Sequence, residues 1–140
     1  MGDDLAASNV NRTYSLSAMS VAIVTFMLIF LYPRYANDEV NPVLFQVTLV
    51  VMAGATFSLV FAAFHYYAAS LGHRADEVAL AQLGRRADRF WLLGYSLLFL
   101  APGLVLLTVD PLFVGGVWLV LWLAYLVFAL RIFPRVQAGP

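Results

Sequence analysis

An all-α integral membrane protein with four spans is the fold class this sequence predicts, and three observations predict it. Hydrophobic residues make up 63% of the 140 residues and charged residues 11%, against roughly half and a quarter in soluble domains. A chain this short cannot hide such an apolar surplus in a globular core, so lipid must solvate much of it. Apolar runs long enough to cross a hydrocarbon core of about 30 Å come in two pairs, at residues 14–33 and 42–70, then 89–109 and 111–132. The stretch LGHRADEVALAQLGRRADRF at residues 71–90 separates the pairs and holds four of the eight arginines. The short connections within each pair predict a single up-down-up-down bundle, left-handed and antiparallel, with a cytoplasmic loop or short helix between spans two and three.

Residues 1–13 are polar and aperiodic and read as a flexible tail. Span one follows. Its flank carries two aspartates and one arginine, and no small-residue cleavage pattern follows Tyr32, so an uncleaved helix is expected rather than a signal peptide. Ala18 and Ala22 form a small-xxx-small pair at which a second helix can approach.

PRYANDEVN at residues 33–41 has turn chemistry, and Asn41-Pro42 opens span two with an N-cap and a first-turn proline. A helix over residues 42–70 is about 43 Å long and must tilt or protrude. Gly54, Ser58 and Ala62 recur every fourth residue as the expected packing seam. Phe64, His65, Tyr66 and Tyr67 near its end suit a membrane–water boundary.

In the central stretch Gly72 suits a C-cap, residues 74–83 read as a short surface helix, and Gly84 separates it from Arg85, Arg86 and Arg89. Those arginines anchor the start of span three among lipid head groups. Pro102 removes the helical bond to the Leu98 carbonyl and predicts a kink. Asp110-Pro111 repeats the Asn41-Pro42 device and opens span four. The halves share this plan without a residue-level repeat.

Seven arginines fall on one side of this threading and Arg34 alone on the other. The bias places both termini and the central stretch in the cytoplasm. An all-arginine basic set points to a GC-rich genome, and the expected location is a bacterial or archaeal plasma membrane. Zero formal charge gives no basic surface for nucleic acid. Zero cysteines exclude disulfides, thiolate metal sites and thiol redox chemistry.

The apolar cores of the spans carry no Asp, Glu, Lys or Arg, which counts against a proton- or ion-coupled transporter. His65 and His73 are about 12 Å apart along a continuous helix, too far to share a metal. No metal, cofactor or catalytic residue is expected. Trp118, Trp122 and Tyr125 share one helix face, with the two tryptophans about 9 Å and 15 Å into span four. The face reads as packing against the small residues of span two, with an aromatic ligand wall as the alternative. Arg85, Arg86 and Arg89 suit anionic lipid or a docked partner.

The leading functional expectation is a non-catalytic subunit or scaffold of a membrane complex. A homo-oligomeric passive channel or carrier built around Gly54 and Ser58 is the alternative. A cofactor- or lipid-binding protein using His65, Tyr66, Trp118, Trp122 and Tyr125 is the second. Partners are accordingly the bilayer, anionic lipid at its cytoplasmic face, and either another membrane protein or further copies of this chain.

Overall fold

The computed structural model describes residues 2–71, 77–109 and 112–137. Gly72, His73, Arg74, Asp110 and Pro111 lie outside the described residues, as does the side chain of Arg135. The described chain is helical without a strand: α1 (Gly2–Phe30), the short α2 (Tyr32–Ala36), α3 (Pro42–Leu71), α4 (Glu77–Thr108) and α5 (Leu112–Gln137). The four long helices are each long and apolar enough to cross a membrane.

The chain chemistry accounts for most of the breaks. Pro33 cannot donate to the Ile29 carbonyl, and α1 stops at Phe30. The five residues of α2 then turn the chain, closed by Glu39 N–H donating to the Arg34 carbonyl at 2.9 Å and by Asp38 at φ 57°. Asn41 caps α3 as expected: its Oδ1 accepts from the N–H groups of Val43 and Leu44 at 3.1 and 3.0 Å. Pro102 sits within α4, which runs through it to Thr108.

Contacts show that successive long helices are antiparallel. Ser20 of α1 meets Thr56 of α3, while Met27 and Leu31 cluster with Phe45 and Met52. Residues 61 to 66 of α3 meet Asp88 and Phe90 of α4, and the Asn41 N–H reaches the Thr108 carbonyl at 3.4 Å. Extensive packing joins only α1 to α3, α3 to α4 and α4 to α5. The result is an open-sided bundle with α3 and α4 inside and α1 and α5 at the edges. Only 6% of the apolar window of α5 is buried, against 39% for α3.

One spacing recurs along the seams. The inward residues of α1 are Thr13, Ser17, Ser20, Val24 and Met27, continuing to Leu31. Those of α3 include Phe45, Thr48, Met52, Ala55, Leu59 and Ala62, with Ser58 and Ala63 buried beside them. Ala87, Gly94, Ala101 and Thr108, every seventh residue, are buried on α4, and Gly115, Trp118, Trp122 and Tyr125 face it from α5. Alternating steps of three and four give a 3.5-residue repeat, the pattern that suits left-handed crossings near +20°.

Three sequence expectations change here. Residues 2–13, expected as a flexible tail, continue α1 as helix. Residues 77–83 are the first turns of α4, with no break at Gly84, so the expected separate short helix is absent from the described residues. Ala18 and Ala22 are exposed on α1; its seam is built from the small hydroxyl residues instead. Two of those hydroxyls are tied into their own helix: Thr13 Oγ1 donates to the Asn9 carbonyl at 2.7 Å and Ser17 Oγ to the Thr13 carbonyl at 2.9 Å. Back-bonded in this way, they present small and nearly apolar surfaces.

Candidate functional site

Polar and aromatic chemistry gathers at the end of the bundle where α1 and α4 begin and α3 ends. The Tyr66 hydroxyl donates to Asp88 Oδ1 at 2.6 Å, joining α3 to α4. The Arg12 guanidinium of α1 lies 5.3 Å from the centre of the Trp91 ring on α4, within cation–π range. Three helices thus meet through one acid, one phenol, one guanidinium and one indole.

Trp91 is also the first rung of an aromatic ladder on α4. Trp91, Tyr95 and Phe99 recur every fourth residue, with centroids 5.1 and 6.0 Å apart. Tyr125 of α5 packs on Tyr95 and Phe99 at 6.1 and 5.6 Å, and Trp118 stacks on Phe99 at 5.8 Å. Trp118 Nε1–H donates to the Phe99 carbonyl and Trp122 Nε1–H to the Ser96 carbonyl, each at 2.8 Å. The expected shared face of Trp118, Trp122 and Tyr125 is therefore real, but its partner is α4. The small-residue face of α3 is filled by α4 itself.

Close approach explains how α5 packs on α4 at Trp118. A Cβ at Gly103 would sit 2.7 Å from Trp118 Cδ1, and one at Gly115 would sit 2.6 Å from Leu107 Cδ2. Only glycine leaves room for either contact. Ser96 Oγ is buried and faces Tyr125, but it is the one buried side-chain oxygen among the described residues without hydrogen-bond geometry.

The α3–α4 seam follows the same logic. A Cβ at Gly94 would lie 2.8 Å from Leu59 Cγ and 3.1 Å from the Ala55 carbonyl oxygen. Gly54 is met by Leu97, whose Cδ1 would stand 3.3 Å from a Cβ there, and Ser58 and Ala62 are buried.

His65 and Tyr66 are adjacent but serve different surroundings. Tyr66 turns to Asp88, whereas His65 Nδ1 lies 2.7 Å from the Phe61 carbonyl and its ring 5.4 Å from that of Phe90. Tyr67 is exposed. The three do not form one ligand cluster. Arg85, Arg86 and Arg89 are all exposed; Arg86 and Arg89 line a groove of about 620 Å³ with Phe61, His65, Phe90 and Leu93. Arg85 lines an adjoining hollow with Gln82, Arg86 and Arg89.

Arg12, Asp88, Trp91, Tyr95 and Phe99 escaped the sequence reading. The ladder was legible as an i, i+4, i+8 aromatic stripe. The Tyr66–Asp88 pair, 22 residues apart, left no local signal.

Among the described residues no group of three or more His, Cys, Asp or Glu could hold a metal. Compared with protein-family models, curated proteins and solved structures, the chain matches none. The four long apolar helices suggest a helical integral membrane protein, with an interhelical set of polar and aromatic contacts at the end where α3 meets α4.

Proposed function

We propose that the protein is a non-catalytic subunit or scaffold of a membrane complex. In this reading both termini and the arginine-bearing start of α4 face the cytoplasm of a bacterium or archaeon. The observation that carries it is the way interior polar groups are committed. Thr48 and Thr108 donate to carbonyls four residues back at 2.7 and 2.8 Å. Ser20 pairs with Thr56, and both indoles of α5 bind backbone. The bonds within a helix satisfy the hydroxyls and those between helices hold them together in lipid, where an unpartnered polar group costs several kcal/mol. Groups so committed are poor material for a proton relay or a nucleophile. Arg85, Arg86 and Arg89 point outward instead, at the positive end that the cytoplasmic side favours.

The same packing weighs against the alternatives. A homo-oligomeric pore around Gly54 and Ser58 needs a face that α4 already covers at Leu97. A cofactor held by His65, Tyr66 and the tryptophans needs groups that lie on different surfaces and are already bonded. Replacing Arg85, Arg86 and Arg89 together by glutamine is expected to abolish copurification of a defined membrane or cytoplasmic partner. An unchanged set of copurifying proteins argues against the scaffold reading.

A further inference from the structure

The groove between the end of α3 and the start of α4 points to a ligand of defined chemistry. We infer that it binds an anionic glycerophospholipid with a hydroxylated head group, of the phosphatidylglycerol type. The case begins with the order of residues along both walls. On α4, Arg86 and Arg89 come first, then Phe90 and Leu93, about 10 Å from Arg86 to Leu93 along the axis. On α3, His65 lies toward the same end and Phe61 one turn further in. Both helices therefore grade from polar to apolar in the same direction, as a phospholipid does from phosphate to acyl chain.

The charge is complementary. Among the described residues no carboxylate lines the groove, and the Arg34–Glu39 ion pair lies at the opposite end. Two guanidinium forks on one helix face match the oxygens of a phosphodiester. Basic hollows between membrane helices are a recurrent place for such head groups.

His65 adds selectivity. A carbonyl only accepts, so the 2.7 Å contact with the Phe61 carbonyl places a hydrogen on Nδ1. In the neutral ring Nε2 is then an acceptor. A head-group hydroxyl donates to it; a choline head group has no hydrogen to give. Below the polar end, Phe61 and Phe90 pack 5.7 Å apart as an aromatic floor, and Phe61 and Leu93 remain about half exposed at 48% and 50%. That apolar end fits the upper part of an acyl chain and has no use in binding a soluble phosphate.

Native mass spectrometry of the detergent-solubilised full chain tests this, titrating palmitoyl-oleoyl phosphatidylglycerol and, separately, the phosphatidylcholine with the same chains. Phosphatidylglycerol is expected to bind at least tenfold more tightly. Arg86→Gln with Arg89→Gln, and separately Leu93→Trp, which fills the apolar end without touching charge, are each expected to cut that preference below threefold. Arg85→Gln, which lies beside the groove, is expected to keep it. Glycerol 3-phosphate at the same concentration should not displace the lipid. Equal binding of the two lipids overturns the inference, as does displacement by glycerol phosphate, or a loss in Arg85→Gln equal to that of the double variant.

Discussion

Tyr66 and Asp88, 22 residues apart, are joined by a 2.6 Å hydrogen bond from the phenol to the carboxylate. The bond fixes where the end of α3 meets the first turns of α4, and it lies beside the Arg12–Trp91 contact that brings in α1. The polar end of the bundle is thereby set by contacts between helices as well as by apolar burial.

Tyr66→Phe is expected to lower stability by about 1.5–3 kcal/mol, the scale of a hydrogen bond to a charged group. Asp88→Asn keeps an acceptor and should cost less. Thermal unfolding in detergent reads both; two unchanged midpoints would mean the bond contributes nothing.

Glycines separate by what stands opposite them. Gly94→Leu forces the side chain into Leu59 and the Ala55 carbonyl and is expected to cost about 3 kcal/mol or to prevent folding. Gly84 and Gly116 have nothing within 4 Å of a Cβ. Gly84→Ala should leave stability unchanged or raise it by up to about 1 kcal/mol through helix propensity. Equal damage from Gly84→Ala and Gly94→Leu would contradict the seam.

The two indole bonds hold α5 to α4. Trp118→Phe and Trp122→Phe keep an aromatic ring but lose the donor, and each is expected to cost about 0.6 kcal/mol and at most about 1.7 kcal/mol, the average and upper end for interhelical hydrogen bonds in membranes. Limited proteolysis in detergent should release α5 faster in the double variant. Unchanged cleavage would mean that stacking on Phe99 and Tyr95 suffices.

Most of this architecture was legible because lipid imposes simple rules. The apolar lengths found the four helices, Asn41-Pro42 marked the start of α3, and the i, i+4, i+7 spacing found the α5 face. Spacing alone could not name the partner of that face. Trp118 packs where Gly103 of α4 has no side chain, and a lone glycine carries no sign of what stands opposite it. Ala18 and Ala22 misled because small residues also occur on exposed faces, while Thr13, Ser17 and Ser20 looked polar until their hydroxyls turned inward. Gly84 reads as a breaker because propensity penalises it, yet α4 runs through it without interruption. Asp88 was invisible as a site residue, since only the antiparallel pairing of α3 with α4 brings it to Tyr66.

The chain has no cysteine, so single introduced thiols report the threading directly. Asn37→Cys, in the exposed turn after α2, should react with an impermeant maleimide on intact cells. Gln82→Cys, exposed on α4, should react only after permeabilisation. The reverse pattern would invert the orientation.

The scaffold reading is tested most directly by native mass spectrometry of the tagged protein released gently from its own membranes. The expected result is one defined heteromeric mass that disappears when Arg85, Arg86 and Arg89 are replaced together by glutamine. A clean homo-oligomer or a lone monomer, unchanged by those substitutions, would contradict it.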